Sequence, residues 1–428
     1  MKLKLLSAAA LSLTAAGAWA VDLGLHASCN ANGVDRGSVS WNGGIYRRCD
    51  LPAEIDVAGT VTLPAAVSGR NILWTLPTIV TVGDGHEAGK TPATAVPTVL
   101  EIQAGAQVAG APRSALVIAR GAELHAAGTN VDPVVFSSLD GNFSGRGEWG
   151  GVILSSWDGS NACNSSVGDE CVVPDLRRYV FAGKDADAAA AGGHARPFYY
   201  GGYIDEASTA SWDNISSGSL QYVVIAEAGS SQFHHSGNLG GLALYGVSSE
   251  TFIGDVHVHN SKDDAIRFLG GDANVERLWL TCAGDDAVDW GEGFRGDVTF
   301  VNILQKDGAG HAFELSNNPT SYAAGPVANG SVFGVTVAYA DSTPSVGVPF
   351  RLMEGTDGSF TDVVVDSEYT GACFGNPANP RNQSAVTSSD FNSIQYACTD
   401  NVGRLPASTF ALGFSESTFW TSYPNSCN

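Results

Sequence analysis

The chain has 428 residues, a formal net charge of −22, 52 glycines and only 15% charged residues. An acidic surplus this large, with no basic run, excludes nucleic acid as a partner gripped through its phosphates. It leaves cationic partners, divalent ions or simple solubility in water. Low charge, abundant glycine and frequent Val, Asn, Asp, Ser and Thr describe an all-β chain with many tight turns.

At the start of the chain, Lys2 and Lys4 precede an apolar run from Leu5 to Ala16, and Ala18-Trp19-Ala20 forms a small-x-small site. Residues 1–20 therefore read as a cleaved signal peptide, with the mature chain starting at Val21. No later run of about 18 uncharged apolar residues predicts a membrane span. The expected location is outside the cytoplasm: extracellular, cell surface or periplasm. All eight cysteines lie after this segment, where oxidation is allowed. Cys29/Cys49, Cys163/Cys171 and Cys373/Cys398 are sequence neighbours and candidate local bridges. Cys282, in an apolar strand, reads as a buried free thiol, with Cys427 left over; sequence alone does not set the connectivity.

Residues 21–97 read as an N-terminal cap plus first coils, with short strands at 59–63 and 79–82. From residue 98 to 370 short apolar runs recur every 16 to 30 residues between Gly/Asn/Asp turns. The stretch 155–218, Ala-rich and then Gly/Tyr-rich, reads as inserted loops, and 371–428 as a C-terminal cap. The repeat is clearest where Asp264-Ala-Ile-Arg-Phe268 returns as Asp286-Ala-Val-Asp-Trp290, then His311-Ala-Phe-Glu-Leu315, and more weakly as Val348-Pro-Phe-Arg-Leu352. A further strand precedes each of the first three, so every period carries at least two. Coils of just over twenty residues with two or three short strands predict a right-handed parallel β-helix, its coils stacked about 4.8 Å apart. Ala265, Ala287 and Ala312 are expected to form one inward column.

Stacking turns residues in register into spatial neighbours. One column is expected to hold Asp264, Asp286 and His311, and a second Arg267, Asp289, Glu314 and Arg351. Asp263, Asp285 and Glu292 lie close by in sequence. Carboxylates about 5 Å apart repel, so one of them takes up a proton or the group traps a cation. The first outcome makes a general acid; the second makes a calcium site, for which Asp263, Asp286, Asp289 and Glu292 are the candidate ligands. The duller alternative is that Asp-Asp pairs cap turns and the arginines neutralise them. His234-His235 and His257/His259 lack carboxylates at matching spacing and read as ordinary histidines rather than metal ligands. The loop aromatics Trp157, Phe198, Tyr199, Tyr200, Tyr203 and Trp212 either anchor the insert or stack on sugars.

The runs Gly147-Glu-Trp-Gly-Gly-Val-Ile-Leu154, Asn260 to Gly271 and Ala283 to Gly296 resemble a broad group of secreted bacterial right-handed β-helix proteins, over roughly residues 95–370. That resemblance implies a fold and an exported location rather than a reaction. The chain also partly resembles the polygalacturonases, which carry Asn-Thr-Asp, Asp-Asp, Gly-His-Gly and Arg-Ile-Lys on successive coils. Asp285-Asp286 matches the second motif and Gly310-His311-Ala312 two residues of the third. The first is reduced to Asn260-Ser-Lys-Asp-Asp264, and Arg351-Leu-Met lacks the Arg/Lys pair that binds uronates. The resemblance implies catalysis by Asp286 as general acid, with Asp264 or Asp285 activating water and His311 beside them; the stacked second column, Arg267, Asp289, Glu314 and Arg351, is the candidate set for sugar contacts. A lyase would instead need a basic group such as Arg267, Arg295 or Lys306. The expectation is thus an exported protein engaging a polysaccharide along an acidic face, with hydrolysis. The alternative is a non-enzymatic surface scaffold or adhesin stiffened by calcium.

Overall fold

The computed structural model describes residues 27–87, 90–162, 171–172, 199–201, 215–230, 239–340, 346–366, 369–406 and 426–427. The expected signal peptide, most of the 155–218 insert, Cys163 and the His234-His235 pair lie outside them.

Short β-branched runs bounded by glycine stack as parallel strands, giving a parallel β-helix. One face is a nine-stranded sheet. In chain order its later strands are Leu242–Tyr245, Ile266–Leu269, Val288–Gly291, Phe313–Leu315 and Phe350–Leu352. Each has three or four residues, and from Ile266–Leu269 onward burial alternates at the start of the strand: Ile266 and Phe268 are inside and Arg267 is half-buried on the outer side, whereas Leu242–Tyr245 is buried throughout.

The remaining strands of the coils, such as Gly218–Ala226, Phe252–His259, Val275–Thr281, Asp297–Gln305, Asn329–Tyr339 and Asp357–Val365, form one long parallel sheet. That sheet is bent along a line. Tyr222, Asp255, Arg277, Phe300, Gly334, Asp362 and Ser393 stand in register and all have positive φ, from 50° to 68°. A left-handed residue in mid-strand turns the chain and resets the in-out alternation. Val275 and Leu278, on either side of Arg277, therefore both point inward. Each later coil thus has three faces: the nine-stranded sheet as the first, and the two halves of the long sheet as the second and third.

The interior is a stack of like side chains. Ala265, Ala287 and Ala312 are buried in register, as expected. Beside them aromatic rings pack in two groups, Phe268, Trp290 and Phe294, and further along Phe313, Phe350, Phe360 and Phe391. Buried Trp290 also satisfies its indole N–H on Thr356 Oγ1 at 3.0 Å.

At the N-terminal end an antiparallel hairpin, Val34–Trp41 with Gly44–Asp50, is fixed by the Cys29–Cys49 disulfide. Trp41 and Phe143 then cover the outer side of the third face around Val224 and Trp279. At the other end stacking continues past residue 370, since Phe391–Gln395 pairs in parallel with Asp357–Val365, and Cys373–Cys398 closes the last turns. Cys282 is not a free thiol. It bonds Cys427 across 145 residues of sequence, from a corner position with left-handed backbone. No helix among the described residues is long and apolar enough to cross a membrane.

Candidate functional site

The densest group of ionisable side chains lies where the chain turns from the third face into the first. Here Asn260-Ser-Lys-Asp-Asp264 and Cys282-Ala-Gly-Asp-Asp286 make successive corners, one coil apart. The corner residues interlock. Asp264 Oδ1 accepts the backbone N–H of Asp286 at 3.2 Å, and Asp286 Oδ1 accepts that of His311 at 2.5 Å. The first predicted column therefore exists, and its carboxylates cap the amides of the next coil.

The second column also exists, one step into the strands. Arg267, Asp289, Glu314 and Arg351 pair in register across four coils. Arg267 Nε lies 2.9 Å from Asp289 Oδ2, and Arg351 Nη1 donates to Glu314 Oε2 at 2.6 Å. His311 ties the columns together: its Nδ1 is 2.9 Å from Asp286 Oδ1 and 3.2 Å from Glu314 Oε2. The outer column is half-buried, whereas Asp264 and Asp286 are each 4% exposed.

Burial sets the proton affinities. It lifts the Asp286 carboxyl to about 6, although hydrogen bonding from His311 works the other way. It lifts Asp289 to about 7 against the attraction of Arg267. Asp264 is pushed well above the usual carboxylate range by burial and by Asp263, Asp289 and Asp286 around it. Burial opposes charge on His311, but its bonds to Asp286 and Glu314 outweigh that and raise it to about 9. Glu314 is also penalised by burial, yet His311 and Arg351 hold it below its ordinary value. Near neutral pH the site thus holds a charged imidazolium–carboxylate pair beside carboxyls that readily exchange a proton. That is the property a general acid needs.

Glu292 does not join this site. It lies past the far end of Val288–Gly291, where it accepts Ser160 Oγ at 2.9 Å and the Tyr200 hydroxyl. The set Asp263, Asp286, Asp289 and Glu292 is therefore not one ligand group, because a whole strand separates its ends. Asp263, Asp264 and Asp285 do form a compact carboxylate group, as do Asp286, His311 and Glu314, the ligand atoms of each lying within 4.8 Å of one another. Arg295 leans to Asp158 at 3.4 Å, at the end of the strand away from the acids. Trp157 and Tyr200 are buried, Trp157 under the guanidinium of Arg120, so these two aromatics anchor the insert. His257 and His259 are also buried, share Thr281 Oγ1, and are driven toward the neutral form by burial, His259 to about 4.

One further group was missed in the sequence. Asp140, Glu148 and the fully buried Glu227 converge beside a cavity of about 400 Å³. Glu227 accepts Ser137 Oγ, Ser138 N and Oγ, and Gly145 N. The available signal was Asp140-Gly-Asn142-Phe-Ser144-Gly145, oxygen-bearing residues at alternate positions before a glycine, the spacing of a cation loop.

Stacked coils with an acid-rich ladder along one face define a parallel β-helix protein. The chain belongs to the pectate-lyase-like β-helix domain family, whose profile matches residues 91–410. No curated protein matches the chain, and no solved structure does.

Proposed function

We propose that this is an exported protein that binds a polysaccharide along its first face and hydrolyses it. The observation that carries the reading is the ladder of Asp264, Asp286 and His311 beside Arg267, Asp289, Glu314 and Arg351, in which burial raises carboxyls into the range of useful proton donors. Asp286 is the general acid, oriented by His311. Asp285, the exposed member of the Asp-Asp pair, activates water, Asp264 holds the corner through the Asp286 amide, and the half-buried outer column contacts the sugars. Membership of the pectate-lyase-like β-helix family supports a polysaccharide as the ligand class. The disulfides support an oxidising, extracytoplasmic location. The test is incubation of the mature protein with neutral and acidic glycans, with calcium and then with a chelator, following new reducing ends and unsaturated products. Hydrolysis lost in Asp286→Asn, with folding unchanged, is the expected result; no product across the panel overturns the reading.

A second reading rests on a specific contact: Asp264 and Asp286 already cap the amides of the next coil. On that reading the ladder only holds the corners together and the protein is a surface scaffold or adhesin. Calcium would then bridge Asp263, Asp264 and Asp285, and a chelator would lower the melting temperature with no substrate turned over.

A further inference from the structure

We infer a second polysaccharide-binding surface, on the second face, where Phe252, Phe300 and Phe333 form an aromatic stripe that takes an uncharged glycan chain. Among the described residues the large exposed hydrophobics are seven, and the three aromatic ones are these: 40%, 38% and 37% exposed. All stand on the outer side of that face or on its bent edge. An isolated exposed valine needs no explanation, but three phenylalanines gathered on one polar face do.

The rings rest on the backbone. A Cβ on Gly254 would come within 2.8 Å of Phe252 Cζ, and one on Gly334 within 2.9 Å of Phe300 Cδ1. Glycine at both positions lets a ring lie against the sheet, as a platform. Phe300 and Phe333 meet edge to face at 5.4 Å. Phe252 pairs with the coil of Asn274, which pairs with that of Asp297 and then Ser331. Phe300 and Phe333 therefore lie two and three coils further along, and three and two residues further across the face, an oblique line reaching roughly 14 and 16 Å from Phe252. A stripe of that length spans several sugars of an extended chain.

Polar groups lie between the platforms. A groove of about 400 Å³ is lined by Ser249, Phe252, Asn274, Glu276, Asp297 and Thr299 among others. A sugar ring offers an apolar C–H face and a rim of hydroxyls, and this arrangement meets both. Charge selects among glycans. Glu250, Glu276 and Asp297 line the groove, and the neighbouring cation Arg277 is held by Asp255 at 3.0 Å and by Glu276. An anionic chain is repelled here, and an uncharged one is not. The stripe shares no residue with the acidic ladder, so the two surfaces are separately testable.

The experiment is affinity electrophoresis of the mature protein in gels holding neutral glucans, xylans and mannans, or polygalacturonate, with thermal melts of every variant. The wild type is expected to be retarded by at least one neutral polysaccharide and not by polygalacturonate. Phe252→Ala, Phe300→Ala and Phe333→Ala should each weaken binding roughly tenfold, and Phe252→Tyr should retain it. The inference is overturned by no retardation in any neutral glycan, by retardation in polygalacturonate alone, or by alanine variants that bind normally and merely melt lower, which would make the rings covers for glycine. A wild-type dimer that the alanine variants dissociate would assign the stripe to a second copy instead and equally overturn it. Loss of hydrolysis with binding intact would bear on the ladder alone.

Discussion

Replacing Asp286 by Asn isolates the cost of an ionised carboxylate inside the ladder. Burial raises the folded-state pKa from the ordinary 3.8 to about 6. The folded protein therefore holds a proton that the unfolded chain has released, and stability falls as pH rises between those two values. Two units correspond to about 3 kcal/mol. His311, raised to about 9, adds a fall of the same sign between 6.5 and 9, and part of that is also lost when Asp286 no longer holds it. Asn keeps a carbonyl oxygen for the His311 N–H but cannot ionise. The wild type should thus lose about 3 kcal/mol more than the variant between pH 4 and pH 8, roughly 4 °C of melting temperature for a chain this long. Melts of both proteins at both pH values, at fixed ionic strength, give the difference of differences, in which the general effect of the −22 charge cancels. An equal or larger pH 4 to 8 loss in the variant would refute the argument that burial governs this carboxyl.

Other expectations are more direct. Cys282→Ser opens a loop of 145 residues and should cost up to about 5 kcal/mol on the loop-entropy account, read as a lower melting temperature than wild type without reductant; a strong reductant, which also opens Cys29–Cys49 and Cys373–Cys398, should lower the wild type at least as far. Trp290→Ala, which removes a buried ring packed on Phe294 and strands Thr356, should cost about 3–5 kcal/mol by melting or urea titration. Glu227→Ala leaves buried donors of Ser137, Ser138 and Gly145 without an acceptor and should cost about 3 kcal/mol or more, with faster hydrogen exchange confined to residues 137–148.

The returning pattern at Asp264, Asp286 and His311 made the coil length, the inward alanines and both ionisable columns readable, because in a solenoid sequence register is spatial register. The third face was not readable. Its corner is made by Tyr222, Asp255, Arg277, Phe300, Asp362 and Ser393 with a single glycine, Gly334, so the usual marker of left-handed backbone is missing. The partner of Cys282 lay hidden for a different reason: 145 residues separate it from Cys427, and no local pattern links residues so far apart. Glu292 was drawn into the acidic set by its nearness in sequence to Asp289. A strand places residues three apart on opposite sides and about 10 Å away, and Glu292 instead meets Tyr200.

The most direct test of the central claim is a crystal structure of Asp286→Asn soaked with oligosaccharides of the class the wild type cleaves or binds. The account predicts sugar density along the first face, crossing Arg267, Asp289, Glu314 and Arg351, with a glycosidic oxygen beside residue 286. Density confined to other surfaces, with the first face bare, would contradict it and leave the ladder as a brace between coils.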